Sequence, residues 1–379
     1  MIDRVADRIL NRTVGGLETR PPREAAVLHG AIPVVDLLVG TPLFRRGFLE
    51  RIDHGHADLP RALEGGLDLV GFTIATRFND LRGTLSTPHF AALGIPRSAL
   101  STDIGIVEAF LDRIDGWVAG SRGRLAWWSA EARLPTSDGG LRCFAGIQGG
   151  HALGDDLRSI DRFRARGVRL ISLAHVMDTP LAGSGTGRTG GGLTPRGREV
   201  IAEMERAGVL VDLAHASVRA IEDALPRLTR PFVSSHTGFR ALAGGRSRWR
   251  RYAPAGRNLP DEVVRDIGQA GGLVGVTMAT DLIGGRSMDH VVRAFARALE
   301  LVGAERVALG SDFDGALRVP FDVTGLPALT AALLDAGFGG DTVAAVMGGN
   351  ALRVLRGAGR IEQHPIVPED ARASADARS

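Results

Sequence analysis

Gln148, His175, His215, His236 and Asp312 each close an apolar run of this chain, in RCFAGIQ, VRLISLAH, GVLVDLAH, PFVSSH and RVALGSD. A lone histidine in such a place is usually a hydrogen-bonded core residue. Three on successive runs, followed by an aspartate, point to a metal instead. Neutral imidazoles with a carboxylate are the usual zinc donors of hydrolytic sites, where the ion lowers the pKa of a bound water and polarises a carbonyl. That reading requires residues 148 to 312 to meet in space.

Eight short apolar runs supply the means. IPVVDLLV, LDLVGFTIA and GGLVGVTMA complete the set begun above. Their β-branched content, short length and lack of strict alternation suit parallel strands covered on both faces. Amphipathic segments such as TPRGREVIAEMERAG and MDHVVRAFARALELVGAE lie between them, with glycine at their ends. Eight such units predict an α/β fold of the (β/α)8 TIM-barrel type, whose strand ends gather around one rim. The expected division is an N-terminal helical segment over 1–30, the barrel over 31–360 and a loose polar tail over 361–379.

Composition narrows the function classes. The chain has 379 residues, 44% of them hydrophobic, and its 46 basic residues are all arginine, offset by 43 acids to a net charge of +3. Mixed-sign runs such as RSIDRFRARG read as solvated helix faces, not a nucleic-acid surface. The single cysteine, Cys143, excludes an internal disulfide and sits in an apolar run. No apolar leader and no stretch of about 18 apolar residues is present, so a soluble cytoplasmic protein without a membrane role is expected. The glycine-rich LAGSGTGRTGGGL lacks the Lys-Ser/Thr ending of a phosphate loop and is expected to be a mobile βα loop.

The motifs LISLAH, GLTPRGREVI, GVLVDLAHAS, PFVSSHTG, RNLPDEVVR and GSDFDG, in this order, resemble the renal (membrane) dipeptidase family from about Ile32 to Arg356. The resemblance implies a (β/α)8 barrel with two zinc ions that hydrolyses dipeptides bearing a free C-terminal carboxylate. It implies His215 and His236 as ligands of one zinc and Asp312 as a ligand of the other. His175 matches the histidine that contacts substrate. Arg257, in GRNLP, matches the arginine near the substrate carboxylate, a role its guanidinium fork suits.

The family's other ligands are a His-x-Asp pair closing the first strand and a bridging glutamate in Glu-Gly-Gly-His. Here they are Leu38-Val39-Gly40 and Gln148. Two dications would then lack balancing carboxylates in a low-dielectric pocket. His56-Ala57-Asp58 imitates the missing pair but follows a charged, helical stretch, so it is not expected at a strand end. His151 and Asp314 are expected to bond loop backbone beside the rim.

The expectation is therefore a divergent dipeptidase-like enzyme with one zinc ion or none, acting on a dipeptide-like or amino-acid-derived carboxylate, with an altered reaction type in a biosynthetic pathway as one form of it. His175 and Asp312 would be catalytic, and Arg257, His175 and Gln148 would bind substrate. A zinc dipeptidase that tolerates the changes and a non-catalytic ligand- or partner-binding barrel remain open, as does a homodimer.

Overall fold

The computed structural model describes residues 7–16, 21–77, 87–136, 138–242 and 254–359. All eight apolar runs are strands: β1 Val35–Val39, β2 Leu69–Ala75, β3 Leu141–Gln148, β4 Val168–Ser172, β5 Leu210–Asp212, β6 Val233–Thr237, β7 Leu273–Val276 and β8 Val307–Leu309. Every neighbouring pair is parallel and β8 pairs with β1, so the sheet closes into a barrel in chain order. A short strand, Leu125–Trp127, extends the lower part of β3 outside the ring.

A principal helix follows each strand: α2 Leu59–Glu64, α3 Asp103–Gly120, α4 Arg158–Ala165, α5 Pro195–Ala207, α6 Val218–Ala224, α7 Asp261–Gln269, α8 Met288–Val302 and α9 Leu326–Asp335, with short helical turns at Thr87–Ala92, Pro254–Arg257 and Gly340–Ala344 beside them. α1, Arg23–Ala31, precedes the barrel and α10, Asn350–Gly359, follows it. Two apolar cores result. One fills the layer between sheet and helices and contains Cys143. The other joins Val35, Leu37, Phe144, Leu170, Leu210 and Val233 of the strands to Leu352 and Leu355 of α10. Burying both faces of each strand removes enough apolar surface to explain why these runs carry no alternation.

The N-terminal residues are tied down. Arg12–Thr13 pairs with Arg318–Val319 just after β8, and Asp7 takes both carboxylate oxygens to Arg46, at 2.9 Å. His29 of α1 reaches Thr330 of α9 at 2.8 Å. The segment expected as a tail, 361–379, lies outside the described residues.

His56-Ala57-Asp58 is not a ligand pair. Asp58 caps α2, accepting from the Arg61 N–H at 2.9 Å, the Ile52 N–H at 3.1 Å and the Arg61 Nε at 2.7 Å. His56 stands behind the rim, its Nδ1 accepting from the Asp314 N–H at 2.9 Å. Removing the cap leaves a buried guanidinium and two peptide donors short of an acceptor. Asp58→Ala should therefore lower the unfolding free energy by roughly 2 kcal/mol in urea titration while leaving metal content unchanged. A loss near zero would show that the carboxylate is not a cap.

Candidate active site at the barrel rim

Gln148 and His236 end up within their strands, whereas His175, His215 and Asp312 lie three positions beyond β4, β5 and β8. The extra residues turn each side chain over the barrel mouth. His215 and Asp312 do so with φ of 65° and 63°, and Asp314 follows with 61°. Such left-handed backbone is costly for any residue with a Cβ, and its concentration here marks a place where function outweighs local comfort.

The histidines meet as expected. His175 and His215 rings stack edge to face with centroids 4.7 Å apart, and those of His215 and His236 lie 4.9 Å apart. Nε2 of His215 is 3.0 Å from Nε2 of His236. Burial pushes all three far below the ordinary imidazole value, His175 to about 3, and the Arg257 charge pushes further in the same direction. They are neutral at physiological pH.

The hydrogen bonds also fix a tautomer. Ser235 Oγ donates to Asp212 Oδ2 at 2.6 Å, so its one proton is used. His236 Nδ1, 2.8 Å from the same Oγ, must be the donor, which leaves its Nε2 a lone pair facing His215.

Asp212 anchors this chain. Its Oδ1 also accepts from the N–H groups of Ser235 and Ala214 at 2.9 and 3.0 Å. Asp36 repeats the device at β1, accepting from the N–H groups of Ser311 and Leu38 at 2.9 and 3.2 Å and from the Ser311 hydroxyl. Neither aspartate nor either serine stood out in the sequence. The signal was a repeat: Val-Asp-Leu occurs at 35–37 and again at 211–213, with a serine before His236 and before Asp312.

The glycine-rich loop is the βα connection expected, and it also serves as a scaffold. Asp178 occupies its concavity, accepting from the Ser184 and Thr189 N–H groups, both at 2.8 Å. The loop then holds the rim: Ser184 Oγ donates to the His175 carbonyl at 2.5 Å and Gly185 N–H to the His215 carbonyl at 2.8 Å.

Arg257 enters between these elements. It is 8% exposed, donates through Nη2 to the His236 carbonyl at 2.5 Å, and feels the charges of Asp312 and Asp212. Gln148 is 2% exposed, and both its amide atoms are buried without a hydrogen-bond partner among the described residues. It adjoins Gly149, whose missing Cβ would sit 3.4 Å from His175 Cβ. Burial, partly offset by Arg257, lifts the Asp312 carboxyl to about 7, with Asp36 adding to the rise.

Zinc fits this donor set poorly. His215 and His236 converge, but among the described residues no three of His, Cys, Asp or Glu form a metal-holding group, so Asp312 does not complete one with them. A catalytic zinc ordinarily takes three protein ligands. Leu38 is 2% exposed, and its carbonyl accepts from the Asp312 N–H at 3.1 Å. A Cβ on Gly40 would overlap the Asp314 carbonyl.

Asp314 takes its expected backbone role, accepting from the His56 N–H at 2.6 Å, whereas His151 bonds a side chain instead. His151 Nε2 meets Thr76 Oγ1 at 3.0 Å. Asp314 is fully buried against Arg46 and accepts from Thr41 Oγ1 at 2.6 Å; burial alone would raise its pKa, but Arg46 and His56 hold it near 2.

A family profile described as membrane dipeptidase (peptidase family M19) matches residues 22–365. Among curated relatives, dipeptidase tcpJ of Claviceps purpurea is 28% identical over 318 residues, covering 80% of this chain and 69% of its own. Dipeptidase 3 of Rattus norvegicus is 29% identical over 328 residues, and this chain spans 64% of its length. A metallopeptidase of Rhodobacter sphaeroides, solved with a phosphinate mimic of L-Ala-D-Ala, superposes with a TM-score of 0.72 at 26% identity, covering 86% of this chain and 99% of its own. The solved dipeptidase AC, titled as an M19 metallopeptidase, gives 0.72 at 27% identity, covering 87% and 99%.

Two outcomes follow from this geometry. Gly40→Ala should cost roughly 1 to 3 kcal/mol of stability through overpacking, and Gly40→Asp more, so that Leu38→His with Gly40→Asp and Gln148→Glu restores no second metal site. A triple variant of wild-type stability that binds two zinc ions would refute the steric argument. For Asp312 the folded carboxyl, at about 7, lies above its ordinary 3.8. Its stabilising protonation is complete below that ordinary value and is lost as pH climbs to about 7. In chelator-treated protein, Asp312→Asn should therefore gain stability relative to wild type over that interval, read as a widening difference in Tm. A difference that stays flat would contradict the burial of the charge.

Proposed function

The chain belongs to the membrane dipeptidase family, a family of metallopeptidases, and we propose that it is a divergent member that binds a dipeptide-like or amino-acid-derived carboxylate at the rim with at most one zinc ion. The observation that carries this reading is Gln148. A buried amide with neither atom bonded costs roughly 1 to 3 kcal/mol for each group left unmade. A ligand that presents an acceptor and a donor side by side, as a peptide or carboxyl group does, recovers that cost. Arg257 supplies the complementary cation, with the rest of its fork making no bond among the described residues.

His215 and His236 are the two residues that would contribute to holding an ion, in a donor set that falls short of the usual three ligands. The remaining chemistry rests on this chain's own groups. Asp312, near 7, is poised to give or take a proton at its carboxyl oxygen at neutral pH. His175 offers a neutral imidazole packed against His215, and Arg257 orients the carboxylate. Gln148 neither balances a dication nor accepts a proton as glutamate would, so hydrolysis of ordinary dipeptides is expected to be feeble. The partners are small molecules. No described helix is long and apolar enough to cross a membrane.

Elemental analysis after dialysis against a mild chelator should give one zinc per chain or fewer, and common dipeptides should turn over well below the usual enzyme range of roughly 1 to 10³ s⁻¹. In a thermal-shift screen of carboxylate-bearing metabolites and dipeptides, a ligand should raise the Tm of the wild type. Arg257→Lys, which keeps the charge but loses the fork, should abolish that rise. Two chelator-resistant zinc ions with ordinary dipeptidase rates would overturn the reading, and so would a ligand shift indifferent to Arg257→Lys.

A further inference from the structure

A cluster of arginines beside the segment after β1 includes none of the rim histidines, Gln148, Asp312 or Arg257, and meets the rim through the Arg46–Asp314 pair. Arg45, Arg46, Gly47, Gly94, Arg113 and Trp117 line a cleft of about 380 Å³ between the segment after β1 and helix α3. Arg46 is spoken for, since it pairs with Asp7 and Asp314. The other two guanidiniums have no carboxylate partner among the described residues. Both converge on Gly94: its missing Cβ would stand 3.5 Å from Arg113 Nη2 and 3.5 Å from Arg45 Nε.

Arg113 is the unusual member. Its Nη1 donates to the carbonyls of Pro42 and Phe44 at 2.6 and 3.3 Å, and its Nη2 to that of Leu93 at 2.6 Å. Those bonds fix the guanidinium in place without neutralising it, and among the described residues they leave Nε and part of the fork unused. Burial, and then the Arg45 charge, lower its pKa to about 10. Two like charges facing one another beside low-dielectric walls repel, so the arrangement calls for an anion between them. Arg45, an exposed side chain, is free to close over it.

We propose that this cleft binds a phosphate dianion, free or as a small phosphomonoester. Two cations match two negative charges, and the oxygens of a phosphate accept from two guanidiniums at once, whereas a monocarboxylate leaves one charge over. The cleft exceeds what a bare phosphate fills, which leaves room for the remainder of a small metabolite.

Calorimetric titration with inorganic phosphate, at an ionic strength held constant with chloride, tests the site. One saturable site per chain is expected in the wild type. Arg45→Ala should weaken it about tenfold or more, the loss of one charge-assisted interaction. Arg45→Glu should abolish it by supplying an internal carboxylate to Arg113. Arg257→Lys should leave it unchanged, which separates this site from the rim. Titration with glycerol phosphate then distinguishes the ester from the free ion, tighter binding assigning the cleft to a phosphorylated metabolite and equal binding to phosphate itself. Heats no larger than the chloride blank, equal affinity in Arg45→Ala, or loss of binding in Arg257→Lys would each overturn the proposal.

Discussion

Asp36 and Asp212 each gather two peptide N–H groups and a seryl hydroxyl at the mouth of the barrel, and the rest of the rim is hung from those two carboxylates. A buried carboxylate is tolerated only when donors satisfy it. Burial raises both, Asp36 to about 6, and their donors pull back in the other direction. What the protein gains is position. Asp212 sets the tautomer of His236 through Ser235, and Asp36 ties the end of β1 to Ser311, the residue before Asp312. The two anchors sit on opposite sides of the ring and use the same three-donor pattern.

The pattern explains how β1 supports the rim without a metal-binding side chain at Leu38 or Gly40. Leu38 and Gly40 offer no side-chain donor to a metal, but their backbone serves the rim. Leu38 N–H reaches Asp36, the Leu38 carbonyl receives the Asp312 N–H, and Gly40 N–H donates to the Phe313 carbonyl at 2.6 Å. The loop after β8 has closed onto the space a side chain at position 40 would need, with Asp314 locked beneath it by Arg46. A close-packed interior keeps no such space open where no side chain fills it. Asp312, with φ of 63°, is held in place by this packing.

Much of this was legible in the chain and some of it could not be. The eight strands were readable because a parallel sheet buried on both faces demands continuous apolar runs, and the rim histidines because those runs end on them. Their height above the barrel was not, since the three-residue turns depend on left-handed backbone at His215 and Asp312 that no sequence pattern announces. Asp58 resembled a metal ligand because N-caps and metal sites use the same carboxylate; only its three donors tell them apart. The glycine-rich loop hid its role for a related reason. Glycines that make a nest for a phosphate make one equally well for Asp178, and the choice lies in a side chain outside the motif.

Charge accounting then ties the pieces together. In the low-dielectric mouth of the barrel, Arg257 is a fixed cation and the three imidazoles beside it are held neutral partly by its presence. A dication placed between His215 and His236 would face that guanidinium with Asp312 as the nearby acid, itself protonated in part at neutral pH. Such a site disfavours a metal on its own. A bound carboxylate changes the balance, since it neutralises Arg257, relieves the repulsion on a cation beside the imidazoles and meets the amide of Gln148. On the reading proposed for this chain, ligand and metal therefore favour each other's binding, and the same free energy of coupling applies in both directions. On that reading, with Gly40 and Gln148 in place of carboxylates, the ligand itself becomes part of the charge balance of the site.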